Sequence, residues 1–144
     1  TPKPSSAASD VYKRQALGLE QLKKLPDLIR GRRSNGKLVQ QKLNDHPRFM
    51  IQQEIGKSSW FGFSLVLRDP SAGSRQKLVK ELVEEGFEVR PIVTGNFAKN
   101  EVMKYFDYTI HDRLKNSDYI DAHGLFIGNH HYSIATAVDA LTSL

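Results

Sequence analysis

A glutamate and an arginine alternate with apolar residues in the segment FEVRPIV, residues 87–93. Side chains alternate between the two faces of a strand, so Glu88, Arg90 and Thr94 are expected to share one polar face. The planar guanidinium of Arg90 suits a carboxylate or a phosphate group. The alternative is the solvated face of an ordinary amphipathic strand, with Glu88 in a surface salt bridge.

The segment TGNF, residues 94–97, continues this face into a predicted turn. Glycine lets backbone amide groups approach an anion closely in such a turn. Lys99 follows, and Asn100 lies at a predicted helix start, where amide groups favour negative charge. We therefore expect Asn96 to belong to the same anion-binding surface.

A second polar segment, GNHHY at residues 128–132, directly follows the apolar residues 125–127. The side chains of adjacent histidines point apart in an extended chain, and no acidic residue lies at metal-ligand spacing. The chain also contains no cysteine. The pattern therefore favours a polar pocket rim, with His130 in a hydrogen bond to a ligand, over a metal site.

The aromatic segment SSWFGF, residues 58–63, predicts a strand. Phe61 and Phe63 are expected in the core, whereas Trp60 at the strand's start is a candidate for lining a cleft. No paired nucleophile and base is evident, and neither GxxxxGK nor GxGxxG occurs in the sequence. The residues thus predict one polar binding wall and not a complete active site.

Hydrophobic periodicity predicts the elements that hold these segments. Pro26 should kink or interrupt the first helix, Ser74 is the expected N-cap of the second helix, and Asn100 is the expected cap of a later short helix. The pattern indicates an α+β domain, a small antiparallel or mixed sheet covered by helices. The predicted order is helix, two strands, helix, strand, two short helices, strand and helix, over residues 16–44, 48–54, 60–68, 74–85, 87–93, 100–106, 116 or 117–124, 125–127 and from 133.

The composition is that of one soluble domain. A length of 144 residues is enough for one domain with its own core. The composition, 39% apolar and 26% charged, is typical of a soluble globular protein. No apolar run approaches the ~20 residues that span a bilayer, and no secretory signal is visible. We expect a cytoplasmic protein without a membrane partner.

The formal net charge of +5 raises the alternative of a basic nucleic-acid-binding module. Residues 5–15, SSAASDVYKRQ, match codon by codon the translation of a transposon sequencing adapter. We therefore predict that residues 1–15 are a non-native leader and that residues 16–144 are the natural domain. Without the leader, 18 basic and 15 acidic side chains remain, an ordinary net charge that weakens the nucleic-acid alternative.

Residues 16–26, ALGLEQLKKLP, followed by Arg32, Arg33 and Asn35, are similar to the helix after the cofactor domain in the DegT-type family of nucleotide-sugar aminotransferases and dehydratases. Aminotransferases of this family usually continue an Arg-Pro pair with an aromatic residue and a proline, whereas this chain continues with IVTGNF. The resemblance is to the 3-dehydratase branch, through that variant and through WFGFS, KYFDYT and GLFIGNH at residues 60–64, 104–109 and 124–130.

The resemblance implies the C-terminal small domain of a fold-type-I enzyme that uses pyridoxal or pyridoxamine 5'-phosphate and acts as a homodimer. The implied reaction removes the C3 hydroxyl of GDP-4-keto-6-deoxy-mannose, with L-glutamate as amino donor, in deoxysugar synthesis for the O-antigen of lipopolysaccharide. A nucleotide-sugar aminotransferase and an iron–sulfur-dependent CDP-4-keto-6-deoxyglucose 3-dehydrase are the alternatives. The Schiff-base lysine, or the histidine that replaces it, is expected upstream in a missing cofactor domain, so no catalytic residue is expected here.

The resemblance also implies roles for the polar residues singled out above. Glu88, Arg90, Thr94, Asn96 and His130 are expected to form this domain's wall of the active site. Arg90 is expected to pair with the carboxylate of glutamate or with a group of the nucleotide sugar. Glu88 is expected to orient the upstream catalytic imidazole.

Overall fold

The computed structural model describes residues 6–71 and 73–144. In this part of the chain, four helices and two short 3₁₀ helices accompany one small sheet. In chain order the elements are α1 (Ser6–Leu43), β1 (Phe49–Ile51), β2 (Gly62–Leu67), α2 (Ser74–Glu84), β3 (Val89–Arg90), the 3₁₀ helices (Phe97–Lys99 and Glu101–Tyr105), α3 (Lys115–His123), β4 (Gly124–Gly128) and α4 (Ala135–Thr142).

The sheet is antiparallel throughout, with the strand order β1-β2-β4-β3. Phe63 of β2 pairs with Ile127 of β4, which pairs in turn with Val89 of β3. This register places Phe63, Ile127 and Val89 on one face, the face that carries the core. The predicted α+β fold is confirmed.

The core lies between that face and three helices. Leu65 and Leu125 pair across the two central strands, and both are fully buried. The C-terminal part of α1, together with α2 and α4, packs apolar side chains against them; these are Val39, Leu43, Leu78, Leu82, Val138 and Leu141. Helix α3 contacts the sheet separately, through the Tyr119 hydroxyl, which donates to the carbonyl oxygen of Leu67 at 2.8 Å.

Helix α1 is longer than predicted. It begins at Ser6, ends at Leu43 and runs through Pro26 without interruption, so the predicted break is wrong. The side chains of residues 10–27 are all exposed, so no packing there opposes the continuation of the helix. Residues 6–15 of the predicted leader are helical, while residues 1–5 lie outside the described part. No helix of the described residues is long and apolar enough to cross a bilayer.

Of the two predicted helix caps, Asn100 is confirmed and Ser74 is wrong. Asn100 caps the second 3₁₀ helix, because its side-chain oxygen accepts a hydrogen bond from the Val102 amide at 3.0 Å. Ser74 does not cap α2. Gly73 holds the N-cap position with a φ of 82°, and the Ser74 hydroxyl instead donates to the carbonyl oxygen of Ser71 at 2.8 Å.

The third strand is shorter than the predicted 87–93, because only Val89 and Arg90 pair with β4. Pro91 has no amide hydrogen to continue the ladder. The chain then turns, with Val93 at a φ of 47° and the Gly95 amide bonded to the carbonyl oxygen of Ile92 at 2.9 Å. The two-residue alternation therefore ends at Pro91.

The aromatic segment before β2 is also shifted from its prediction. Trp60 has a φ of 53°, a left-handed conformation that changes which side the following residues face. Trp60 is buried, Phe63 is buried as predicted, and Phe61 is 76% exposed. The expected core position of Phe61 is therefore wrong.

Candidate functional site

A cavity of about 400 Å³ opens where the β3–β4 edge of the sheet meets α4 and the residues after β4. Its apolar floor includes Phe63 and Val138 from the core. Of the five predicted wall residues, three line this cavity: Glu88, Arg90 and His130.

Glu88 and Arg90 form an exposed ion pair at this cavity. The Arg90 Nε donates to Glu88 Oε1 at 3.0 Å, and Nη2 contacts the same oxygen. Arg90 lies opposite Phe126 in the sheet register. The guanidinium is held by one carboxylate oxygen and still faces solvent, so it is able to accept a ligand anion.

Three more residues of the rim were missed from the sequence. Phe61 stacks on Phe126, with ring centroids 5.9 Å apart and an interplanar angle of 25°. The Arg32 guanidinium carbon lies 5.9 Å from the centroid of Phe61, at the edge of the cation–π range. In the sequence, Gly62 was the one indication of this ring stack. A Cβ at Gly62 would lie 2.3 Å from the Phe126 ring, so only glycine lets this ring cross β2.

His130 lines the same cavity from the residues after β4. Its ring stacks on Tyr132, with centroids 3.8 Å apart and an interplanar angle of 20°. Both side chains are exposed and both line the cavity. His130 is therefore accessible to a ligand as a hydrogen-bonding group.

Thr94 and Asn96 lie outside the cavity lining. Thr94 is exposed on the turn after β3, and Asn96 is buried. The Asn96 side chain accepts from the Ala98 amide at 3.1 Å and donates to Asp118 Oδ1 at 2.9 Å. Asn96 thus caps the first 3₁₀ helix and ties the turn to α3.

The predicted anion-binding turn carries its own counter-charges. Lys99 Nζ lies 2.7 Å from Asp118 and 3.6 Å from Asp121. The hydrogen bond to Asp118 raises the pKa of Lys99. Hydrogen bonds from Lys99 and Asn96 lower the pKa of Asp118. The positive charge of this turn is therefore already paired inside the domain.

The cavity's chemistry suits the anionic part of a ligand. It is lined by two guanidinium groups, one carboxylate and one imidazole, and by no lysine, so it offers no Schiff-base amine. Among the described residues, no group of three or more histidine and acidic side chains is placed to hold a metal ion. The arrangement fits one wall of a binding site that is completed by other residues.

Residues 14–139 match the DegT/DnrJ/EryC1/StrS aminotransferase family. The chain belongs to this family. Two relatives named GDP-4-keto-6-deoxy-D-mannose 3-dehydratase, from Yersinia pseudotuberculosis and Escherichia coli O55:H7, are 51% and 50% identical over 130 and 127 residues. The alignments cover 90% and 88% of this chain and 33% of each relative, so the chain spans about a third of their length.

Solved structures of the DegT/DnrJ/EryC1/StrS family show the same fold. A GDP-4-keto-6-deoxymannose-3-dehydratase with a trapped PLP-glutamate geminal diamine superposes with a TM-score of 0.83 at 50% identity. An H188N mutant of this enzyme with bound GDP-perosamine gives 0.81 at 48%. In both cases 89% of this chain matches 33% of that protein. The expected relation to fold-type-I enzymes is confirmed.

Proposed function

We propose that residues 16–144 form the small domain of a pyridoxal-phosphate-dependent nucleotide-sugar 3-dehydratase. The observation that carries this proposal is about 50% identity, over nearly nine-tenths of the chain, to two proteins of that activity. The proposed reaction removes the C3 hydroxyl of GDP-4-keto-6-deoxy-mannose, with glutamate as amino donor. We propose a cytoplasmic homodimer as its working form.

In this proposal the cofactor, when bound, supplies an electron sink for the sugar chemistry. This chain's own residues bind and orient. Arg90 holds the carboxylate of glutamate, since its planar fork matches that group. Glu88 steers the guanidinium and orients the catalytic imidazole of the cofactor domain.

His130 donates a hydrogen bond to the ligand at the same cavity. Thr94, exposed on the turn after β3, extends the wall beyond the cavity, and the buried Asn96 holds that turn through its bonds to Ala98 and Asp118. The 3.0 Å contact between Arg90 and Glu88 supports the role of Arg90 in holding the carboxylate of glutamate, because the contact orients the guanidinium without burying it.

Transamination is the second candidate, because the family is named for aminotransferases and a solved sugar aminotransferase has the same fold. The deciding residue is histidine for dehydration and lysine for transamination, and it belongs to the cofactor domain. An iron–sulfur-dependent CDP-sugar dehydrase would show cluster cysteines in that domain. Sequencing the complete gene separates the three, and a lysine at that position would favour the aminotransferase.

A chimaera tests the proposal directly. Residues 16–144 are joined to the preceding two thirds of the Escherichia coli relative, and the product is assayed for glutamate-dependent C3 dehydration. We expect activity within about tenfold of the relative, and the relative's cofactor domain alone is the control. A folded, cofactor-loaded chimaera that fails to dehydrate the sugar would contradict the proposal.

A simpler experiment uses the 144-residue chain itself. Most contacts to the cofactor are expected from the missing cofactor domain, and the cavity contains no lysine, so we expect no stable absorbance band of a Schiff base when the chain is titrated with pyridoxal phosphate. A stable band at stoichiometric cofactor would mean that this domain binds the cofactor without the cofactor domain.

A binding assay with random-sequence DNA at two salt concentrations tests the remaining alternative, since micromolar affinity with a steep salt slope would indicate a nucleic-acid-binding module.

A further inference from the structure

Two buried asparagines join segments that are far apart in the sequence. Asn35 lies on α1 and Asn129 directly follows β4, and they are 4% and 6% exposed. Asn35 Nδ2 lies 3.2 Å from Asn129 Oδ1. An amide pair at this depth needs partners for all its polar groups, and every such group among the described buried side chains has one.

Asn35 holds the residues after β4. Its Nδ2 lies 2.9 Å from the carbonyl oxygen of His130 and 2.8 Å from that of Tyr132. Its Oδ1 accepts a weaker hydrogen bond from the Ile134 amide at 3.4 Å. One side chain of α1 therefore fixes the backbone on both sides of His131.

Asn129 holds the other two segments. Its Nδ2 donates to the carbonyl oxygen of Arg32 at 3.1 Å and to that of Trp60 at 2.9 Å. The main-chain carbonyl oxygen of Asn129 accepts a hydrogen bond from Arg32 Nη2 at 3.3 Å. The Asn35 side chain therefore binds the backbone of His130 and Tyr132. The Asn129 side chain binds the backbone of Arg32 and Trp60.

We infer that Asn35 is a positioning residue that acts through His130. In segment 130–134 the side chains of residues 130–133 are exposed and only Ile134 packs against the core, so packing does not fix the position of His130. The buried amide supplies donors to carbonyl oxygens that point at the helix. This bond pattern holds the His130 ring on Tyr132, at the mouth of the cavity, where a ligand meets it.

The substitution Asn35→Asp tests this role, because it keeps the shape and the acceptor for the Ile134 amide. It removes the donor to the carbonyl oxygens of His130 and Tyr132 and to Asn129 Oδ1, and the Asn129 variant below accounts for the last of these bonds. In the 144-residue chain we expect the His130 ring protons to lose the upfield shift that stacking on Tyr132 produces in the proton NMR spectrum. Tyr132→Leu provides the reference spectrum without the stack.

Asn129→Asp is the matched control. It keeps the acceptor for Asn35 but loses the donor to the carbonyl oxygen of Trp60, the only tryptophan of the chain. We expect a red shift of tryptophan emission in this variant and an unchanged His130 resonance. Asn35→Asp should give the opposite pattern.

A general loss of stability is distinguished by Leu82→Ala, a fully buried substitution on α2, which should leave the His130 resonance in place. An unchanged His130 resonance in folded Asn35→Asp would overturn the inference. Should Asn35→Asp fail to fold, Asn35→Ser is measured instead under the same criterion.

The functional part of this inference rests on the proposed function. In the chimaera we expect Asn35→Asp and His130→Ala to slow the sugar half-reaction by similar factors, about tenfold, and the double variant to lose no more than the worse single variant. Additive losses would mean that Asn35 does not act through His130. An inactive unsubstituted chimaera would contradict the proposed function and leave the NMR result to decide the positioning role.

Discussion

The Arg90 guanidinium and the Glu88 carboxylate face each other across a single intervening residue, with Nε donating to Oε1 at 3.0 Å. Their side chains are 71% and 77% exposed. An exposed ion pair contributes at most about 1 kcal/mol to stability. The pair therefore matters for where the guanidinium points and little for whether the domain folds.

Arg90→Lys should weaken ligand binding without weakening the fold. Lysine keeps the charge but loses the planar fork that grips a carboxylate in two places. In the chimaera we expect the glutamate half-reaction to slow by at least about tenfold, roughly 1.4 kcal/mol, with an unchanged urea midpoint. Arg30→Lys, an exposed arginine paired with Asp27, is the control. Wild-type rates in both half-reactions would show that Arg90 is structural.

Two glycines of α1 should respond to alanine in opposite ways. A Cβ at Gly31 would lie 1.9 Å from the carbonyl oxygen of His131, whereas a Cβ at Gly18 would meet nothing within 4 Å. We expect Gly31→Ala to lower the free energy of unfolding by about 1–3 kcal/mol, because backbone must move. Gly18→Ala should raise the helical circular dichroism signal and not lower the urea midpoint. Equal stability of the two variants would argue against this close approach.

Local patterns predicted the elements well where local forces decide them. Asn100 caps its helix as predicted, because an asparagine side chain reaches the amide two residues on without help from the rest of the fold. The α+β class followed from the same kind of local periodicity. Ser74 failed as a cap because Gly73 adopts the left-handed conformation and takes that position.

The site was less predictable, because backbone conformation and long-range contacts decide it. The left-handed φ of Trp60 moves Phe61 from the predicted core to the cavity rim, and alternation alone does not reveal such a residue. The contact between Asn35 and Asn129 joins residues 94 apart in the sequence. Glu88, Arg90 and His130 reach one cavity, whereas the turn after Pro91 leads Thr94 away from it.

His46 should make the domain less stable at mildly acidic pH. Burial lowers the pKa of His46, and the charges of Arg48 and Arg68 lower it further. A lowered pKa means that the unfolded chain binds the proton more tightly, so this stability is complete above the usual pKa of 6.5. It is lost as the pH falls from that value through the folded pKa.

The measurement is urea unfolding at pH 7.5 and pH 5 for the wild type and for His46→Gln. We expect the wild type to lose more free energy of unfolding than the variant between these two values. The variant also removes the ring that stacks on Phe49 at 3.8 Å, so only the pH-dependent difference is diagnostic. Equal pH dependence in the two proteins would assign the acid sensitivity to other groups.

Asn96 should contribute a pH-dependent contact that the otherwise similar Asn100 lacks. Both side chains accept a hydrogen bond from the amide two residues on, at 3.1 and 3.0 Å. Asn96 also donates to Asp118 at 2.9 Å, whereas in the described residues Asn100 has the cap bond alone. Each change to alanine should cost about 1 kcal/mol through the lost cap, and Asn96→Ala should cost more at pH 7.

The extra loss of stability in Asn96→Ala, relative to Asn100→Ala, should become smaller at acidic pH. Hydrogen bonds from Lys99 and then Asn96 lower the pKa of Asp118, so the stability they confer is present above the usual value of 3.8 and is lost as the pH falls through the folded pKa. Urea unfolding of both alanine variants at pH 7 and pH 3 measures the difference. We expect the gap between Asn96→Ala and Asn100→Ala to narrow at pH 3, because a protonated carboxyl accepts more weakly than a carboxylate. A gap that stays constant would mean that the bond to Asp118 adds nothing beyond the cap.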